Sequence, residues 1–169
     1  MCLHGTRKAT KMKSYKIRKA LSVAKKAHKG QLYSLGDYVK LHIMPVYNAV
    51  KTLVDDRDTA CMVAGILHDT LEDTDTTIAD ILFEFGNEVA EAVIALSRKK
   101  DEKYTNYIDR VSKNRIASIV KYADLMNNMS NIPATSWTKK QKMAMFNRYM
   151  KAINVIGPIA IDNLREDYE

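Results

Sequence analysis

Apolar residues in this chain recur three and four positions apart, and no stretch alternates like a half-buried strand. That period matches the 3.6 residues of a helical turn, so each segment can bury its stripe only against another helix. With six glycines and three prolines in 169 residues, few positions can interrupt such helices. The length suits one domain around one core. The expected fold is all-α, a single-domain bundle of seven or eight helices with no linker or internal repeat.

Local signals divide the bundle. Ile17, Leu21 and Ala24 mark a first helix, N-capped by Ser14 and closed by Gly30. "QLYSLGDYV" reads as a loop. A second helix is expected from about Lys40 to Val54, with Pro45 in its first turn. "DRDTACMVAGILHDTLED" reads as a third, opened by an aspartate cap and apolar on most sides. Thr76 or Thr77 caps "IADILFEF", which Gly86 ends, and Asn87 caps "NEVAEAVIALSRKK" with lysines in its last turn. "YTNYIDRVSK" and "RIASIVKYADLMNNM" follow, and Thr138 caps a last long helix stopped by Gly157 and Pro158. Residues 1–13 form a basic N-terminus expected to be flexible, leaving 14–169 as the domain.

Composition narrows the function classes. No apolar run approaches the ~20 residues of a membrane span, and charges interrupt the N-terminus where a signal peptide would be apolar. Two cysteines, Cys2 and Cys61, do not make a disulfide framework, so a reducing, cytoplasmic setting is expected. The formal charge is +7, and residues 1–30 hold ten Lys or Arg and no acid. Such a run is either a solvated helix face or a field that draws a polyanion, whether nucleotide or nucleic acid.

Against this basic background, "HDTLEDTDTT" at 68–77 packs four carboxylates beside a histidine. On an uninterrupted helix His68 stands next to Glu72, and Asp69 next to Glu72 and Asp73. A proton or a cation must relieve that repulsion. Imidazole with carboxylates is a ligand set for a first-row divalent metal such as Mn, Fe, Co or Zn. Further ligands must come from other helices. Of the four histidines (His4, His28, His42 and His68), His42 follows a loop at the start of the second helix. Asp124 sits oddly on a helix whose other face is Ile116, Ile119, Val120 and Ala123, with Asn128 one turn on. Taken singly, each has a plain structural reading: a helix-start histidine, a hydrogen-bonded buried acid, and a solvated helix end for Glu72 and Asp73. Lys121 reads as a solvated lysine, the nine methionines as adaptable core filler, and Trp137 as a packing anchor.

Taken together they form a pattern. "AHKGQ" at 27–31, "KLHIMPV" at 40–46, "GILHDTLEDTDTT" at 65–77, "FGNEV" at 85–89 and "VKYADLMNNM" at 120–129 keep one family's order and rough spacing. The chain resembles the HD-domain metal-dependent phosphohydrolases. More narrowly, residues 15–130 resemble the hydrolase domain of the RelA/SpoT family and its single-domain small alarmone hydrolases. The resemblance implies His42, His68, Asp69 and Asp124 as metal ligands, with Mn2+ the usual ion. It implies Glu72 and Asp73 as the catalytic pair and Asn128 as a nucleotide contact. An in-line attack on phosphorus also needs cations on the substrate's other oxygens, and Lys121, three residues before Asp124, is a candidate for that. The implied reaction is removal of the 3′-pyrophosphate of (p)ppGpp-like alarmones, leaving GDP or GTP. The implied partner is a small-molecule nucleotide, not nucleic acid or a membrane.

One stretch departs from the family. Its "GQxRKSGEPYIxHP" becomes "GQLYSLGDYVKLHIMP", so Tyr33, Ser34 and Leu35 replace Arg-Lys-Ser, and Tyr38 and Val39 replace Pro-Tyr. Tyr33 can stack on a nucleobase but cannot supply an arginine's charge. Another nucleotide substrate (ppApp, NADPH or a nucleoside monophosphate) therefore stays open, as does a non-catalytic basic protein that binds nucleotide or nucleic acid.

Overall fold

The first helix, α1 (Leu3–Ala27), carries the basic segment along its whole length in the computed structural model, which describes residues 3–34 and 36–165. Cys2 and Leu35 lie outside the described residues. The helix start expected at Ser14 moves to Leu3; the Ser14 hydroxyl accepts a 2.7 Å hydrogen bond from Arg18 Nη1 rather than capping. Alanine and lysine favour continuation there, and only Gly5 opposes it. Gly30, at φ +82°, closes the turn after α1 in a region that other residues rarely adopt.

The expected loop is a small hairpin. Strand β1 (Leu32–Tyr33) pairs antiparallel with β2 (Gly36–Asp37), with Tyr33 opposite Gly36. The chain then enters a π-helical turn, Val39–Ile43, which runs into α2 (Met44–Leu53) with Pro45 in its first turn. Next comes α3 (Thr59–Leu67), capped as expected by Asp58, whose carboxylate accepts from Cys61 N at 2.9 Å. The third helix is not continuous. It breaks at His68–Asp69 and resumes as the single turn α4 (Thr70–Asp73).

Thr77 and Asp80 form a reciprocal capping box at the start of α5 (Ile78–Phe85). Gly86, not Asn87, is the cap of α6 (Asn87–Leu96), because its φ of +91° makes the turn between the two helices. That helix stops at Leu96, so Lys99 and Lys100 lie beyond it. Then follow α7 (Tyr104–Ser112), α8 (Arg115–Asn131), a 3-10 turn at Ile132–Ala134, and α9 (Lys139–Arg165). The last helix runs through Gly157 and Pro158 instead of ending there. Ile156, Gly157 and Ala160 are buried, and Gly157 lies against the Tyr122 ring of α8, so packing outweighs the one backbone bond that proline removes. With α3 and α4 taken as halves of one interrupted helix, the described residues form eight helices, and the fold is the all-α bundle expected.

The core centres on α3, where Cys61 to Leu67 are all buried. It is enclosed by α1, α2, α6 and α8. Core filling by methionine holds for Met62, but Met126 and Met143 are exposed, as is Trp137, so it is no buried anchor. No described helix is long and apolar enough to cross a membrane.

Asp58 joins the central helix to α8. Besides capping α3 it takes both Arg115 Nη1 and Nη2 at 3.0 Å. Asp58→Ala should cost about 2 kcal/mol through the lost cap and the lost carboxylate–guanidinium bonds. Asp58→Asn, which keeps the cap, should cost less; thermal melting of the two variants checks this.

Candidate active site

The break after α3 decides the geometry. On a continuous helix, consecutive side chains point about 100° apart. At the break His68 and Asp69 instead turn to one point, with His68 Nε2 3.1 Å from Asp69 Oδ2. The π-helical turn delivers His42 to the same place: its Nε2 lies 3.1 Å from His68 Nε2 and 3.1 Å from Asp69 Oδ2. Both histidines are buried.

The other nitrogen of each ring is committed. His68 Nδ1 donates to the Gly65 carbonyl at 2.9 Å, and a carbonyl can only accept. His42 Nδ1 donates to Asn127 Oδ1 at 3.0 Å. In the neutral tautomers these bonds select, two Nε2 lone pairs and a carboxylate oxygen face one another at close to 3 Å. Such an arrangement requires a positive charge between them, from a proton or a metal cation. Burial pulls the His68 pKa down, but Asp69 and Asp124 outweigh it and hold the ring at about 9. For Asp69, burial pushes up, and the two imidazoles win, holding the carboxyl well below its ordinary range. The three donor atoms lie within 4.8 Å of one another, and two imidazoles with a carboxylate suit a first-row divalent ion.

Asp124 reaches the edge of this cluster from α8. Its Oδ1 is 3.4 Å from His42 Nε2 and 4.0 Å from His68 Nε2. Each of its oxygens also has a partner of its own: Lys121 Nζ donates to Oδ2 at 2.7 Å and Asn128 Nδ2 donates to Oδ1 at 2.5 Å. Lys121 is thus no solvated lysine. Its side chain is 15% exposed and its ammonium faces the Tyr107 ring at 5.2 Å. Burial acts to lower its pKa, and Asp124 more than reverses that.

Glu72 and Asp73 stand one turn beyond, on α4. As the spacing predicts, Asp69 and Asp73 share a side, both near the Tyr38 hydroxyl, and both act electrostatically on Glu72. Glu72 Oε2 accepts the Arg98 backbone N–H at 2.7 Å, from the loop after α6. Although exposed on its outer side, the carboxyl is partly covered, which raises its pKa; Asp69 and Asp73 add to the rise while the Arg98 N–H opposes it. Asp73 Oδ2 lies 3.4 Å from both the Gln31 amide and the Tyr38 phenol, which donate toward it.

The hairpin supplies the remaining wall. Tyr33 stacks on the His42 ring (centroids 4.9 Å apart, planes 19° apart) and its hydroxyl donates to Asn128 Oδ1 at 2.9 Å. Burial, with Asp124 behind it, pushes the Tyr33 phenol up to about 12. Tyr38 donates to Asp69 Oδ2 at 2.6 Å, and burial first, then Asp69, holds its pKa far above the usual phenol value. Sequence reasoning missed Tyr38 and Asn127. For Asn127 a signal existed, since it lies three residues from Asp124 on a helix. Tyr38 stood out only as a departure from a pattern.

A family model described as HD domain matches residues 20–116. The guanosine-3′,5′-bis(diphosphate) 3′-pyrophosphohydrolase of Aquifex aeolicus is 28% identical over 162 residues, covering 90% of this chain and 23% of that protein. The bifunctional (p)ppGpp synthase/hydrolase SpoT of Escherichia coli K12 is 28% identical over 156 residues, 86% of this chain and 21% of that one. The GTP pyrophosphokinase of Myxococcus xanthus is 28% identical over 158 residues, 85% and 20%. The chain thus spans about a fifth of the length of these relatives. A solved structure described as a metazoan ortholog of SpoT that hydrolyzes ppGpp superimposes with a TM-score of 0.71 at 22% identity, covering 90% of this chain and 93% of that one. At that identity the likeness is one of fold.

Asp69→Ala should remove divalent-cation binding measurable by calorimetry. Asn127→Ala, which frees the His42 ring to turn, should weaken it about 10–100-fold, the usual cost of losing a partner behind a metal-ligating histidine.

Proposed function

Since the chain belongs to the HD domain family, we propose that it is a metal-dependent phosphohydrolase that removes the 3′-pyrophosphate of (p)ppGpp-like alarmones, leaving GDP or GTP. The observation that carries this reading is the meeting of two imidazole lone pairs and Asp69 at one point, with Glu72 at its rim. A binding module would need the cluster or the basic surface, but not Glu72. In this reading His42, His68, Asp69 and Asp124 hold the cation, and Mn2+ suits their mixed nitrogen and oxygen donors. When bound, the ion supplies Lewis acidity toward water and phosphoryl oxygens.

The chain's own groups do the rest. The Arg98 N–H fixes Glu72 Oε2 and leaves Oε1 to accept a proton from the attacking water. The raised Glu72 pKa makes it a better proton acceptor than an ordinary carboxylate. Asp73, held by Tyr38 and Gln31, keeps the second acid beside it. As water attacks phosphorus, the bond to the ribose 3′ oxygen breaks, and the proton taken from the water passes to that oxygen, so a 3′-hydroxyl and pyrophosphate leave. Lys121 neutralises and orients Asp124 in place of a direct substrate contact. Tyr33 and Asn128 line the nucleotide side, where the Tyr33 ring can meet a base.

A second reading keeps the chemistry and changes the nucleotide to ppApp, NADPH or a nucleoside monophosphate. It is favoured by Tyr33 and Ser34 standing where alarmone hydrolases carry Arg-Lys. The cellular setting we assign is the cytoplasm, where such nucleotides occur.

With Mn2+, the purified protein should release pyrophosphate from ppGpp faster than it releases phosphate or pyrophosphate from ppApp or NADPH. A panel in which no 3′-phosphorylated nucleotide turns over would sink the proposal. Glu72→Gln should lower kcat by about 10²–10⁴-fold while leaving Mn2+ affinity nearly unchanged. Because a base must be ionised to act, kcat at saturating Mn2+ should rise with pH through the Glu72 pKa. That acid limb should be missing from the residual activity of Glu72→Gln.

A further inference from the structure

Asp69 carries the only acidic oxygen that lies 3.1 Å from both imidazoles among the described residues, and its side chain makes no capping bond to the helix turn it opens. What touches that oxygen from outside is Tyr38, whose hydroxyl donates to Oδ2 at 2.6 Å. A phenol donating to a carboxylate at this distance is a charge-assisted bond, short and directional.

The donor is itself held rigidly. Tyr38 is 8% exposed and begins the turn that carries His42, so both side chains come from one rigid piece of backbone. Its ring stacks on the buried His28 ring, with centroids 4.9 Å apart and planes 22° apart. His28 is tied in turn to Gln31 Oε1 at 2.7 Å. On its other side the Tyr38 ring meets the edges of His42 at 5.2 Å and Tyr33 at 5.9 Å. Held between these rings, the hydroxyl gives its one proton to Asp69 Oδ2 at 2.6 Å, while Asp73 Oδ2 stands farther off at 3.4 Å.

We propose that Tyr38 is a positioning residue for the metal-binding carboxylate, its hydroxyl turning Asp69 Oδ2 toward the two imidazole nitrogens. This rests on the reading of His42, His68 and Asp69 as metal ligands. The hairpin that departs from the family pattern would then serve the metal centre as well as the nucleotide.

Tyr38→Phe tests it, because phenylalanine keeps the ring stacking and removes only the donor. Mn2+ affinity of the unmodified protein is measured first, by calorimetry and by the loss of the free-ion EPR signal. If that protein binds no Mn2+, the metal reading fails and takes this inference with it. If it does bind, the variant should bind about 10–100-fold more weakly. The metal-free variant should still melt within a few degrees of its parent. Raising Mn2+ should restore kcat, and KM for the nucleotide at saturating Mn2+ should stay unchanged. Equal Mn2+ affinity in parent and variant, or a loss of activity that added Mn2+ does not restore, would overturn the inference while leaving the metal reading intact. A second readout needs no variant: Mn2+ should perturb tyrosine absorption in the unmodified protein as the Asp69 oxygen is drawn to the cation, and an unchanged spectrum counts against Tyr38.

Discussion

Two histidine nitrogens with no proton between them while both rings are neutral, set 3.1 Å apart over a shared carboxylate oxygen, are the constraint on which the site depends. Neutral imidazoles in those tautomers repel at that distance, and a positive charge between them converts the repulsion into binding. The protein builds this arrangement from backbone features that are individually unfavourable. A buried helix is broken at His68–Asp69, and the approach to α2 is wound as a π turn. Both departures from regular helix aim a side chain that an undisturbed helix would send elsewhere.

Around that point no acid is left without a partner. Asp69 has Tyr38, Asp124 has Lys121 and Asn128, and Glu72 has the Arg98 N–H. These partners come from the hairpin, α8 and the loop after α6, so charge compensation also ties the elements together. The loop is fixed from below by Arg110. Its guanidinium donates to the Ile94, Ala95 and Ser97 carbonyls at the end of α6 and to the Glu102 carboxylate. Those Arg110 bonds, against a small effect of burial, hold the Glu102 carboxyl at about 2. An ion pair between α7 and the loop before it thereby helps set where the Arg98 N–H stands, and with it which oxygen of Glu72 is bonded.

Much of this was legible along the chain. The helical period, the caps at Asp58, Thr77 and Thr138, and the turn at Gly30 are local signals, each acting within a few residues, and the structure keeps them. Expectations failed where packing overrode local propensity. Pro158 does not stop α9, because Ile156 and Ala160 on either side are buried. Ser14 does not open α1, because a run of good helix formers precedes it. His42, His68, Asp69 and Asp124 could be singled out as odd residues in apolar surroundings, and spacing within one helix suggested that Asp69, Glu72 and Asp73 neighbour one another, as their contacts show.

The sequence alone determined an all-helical chain and which of its side chains are candidates for the chemistry, because helical period and residue type are written locally. Tertiary structure decided how those side chains are shared out: that Lys121 serves Asp124, that Asn127 and Gly65 choose the histidine tautomers, and that Tyr38 reaches Asp69. Each of these depends on a distance between segments far apart in the chain or on a break in backbone direction. Neither has a signature in the order of residues, since both arise only when helices pack.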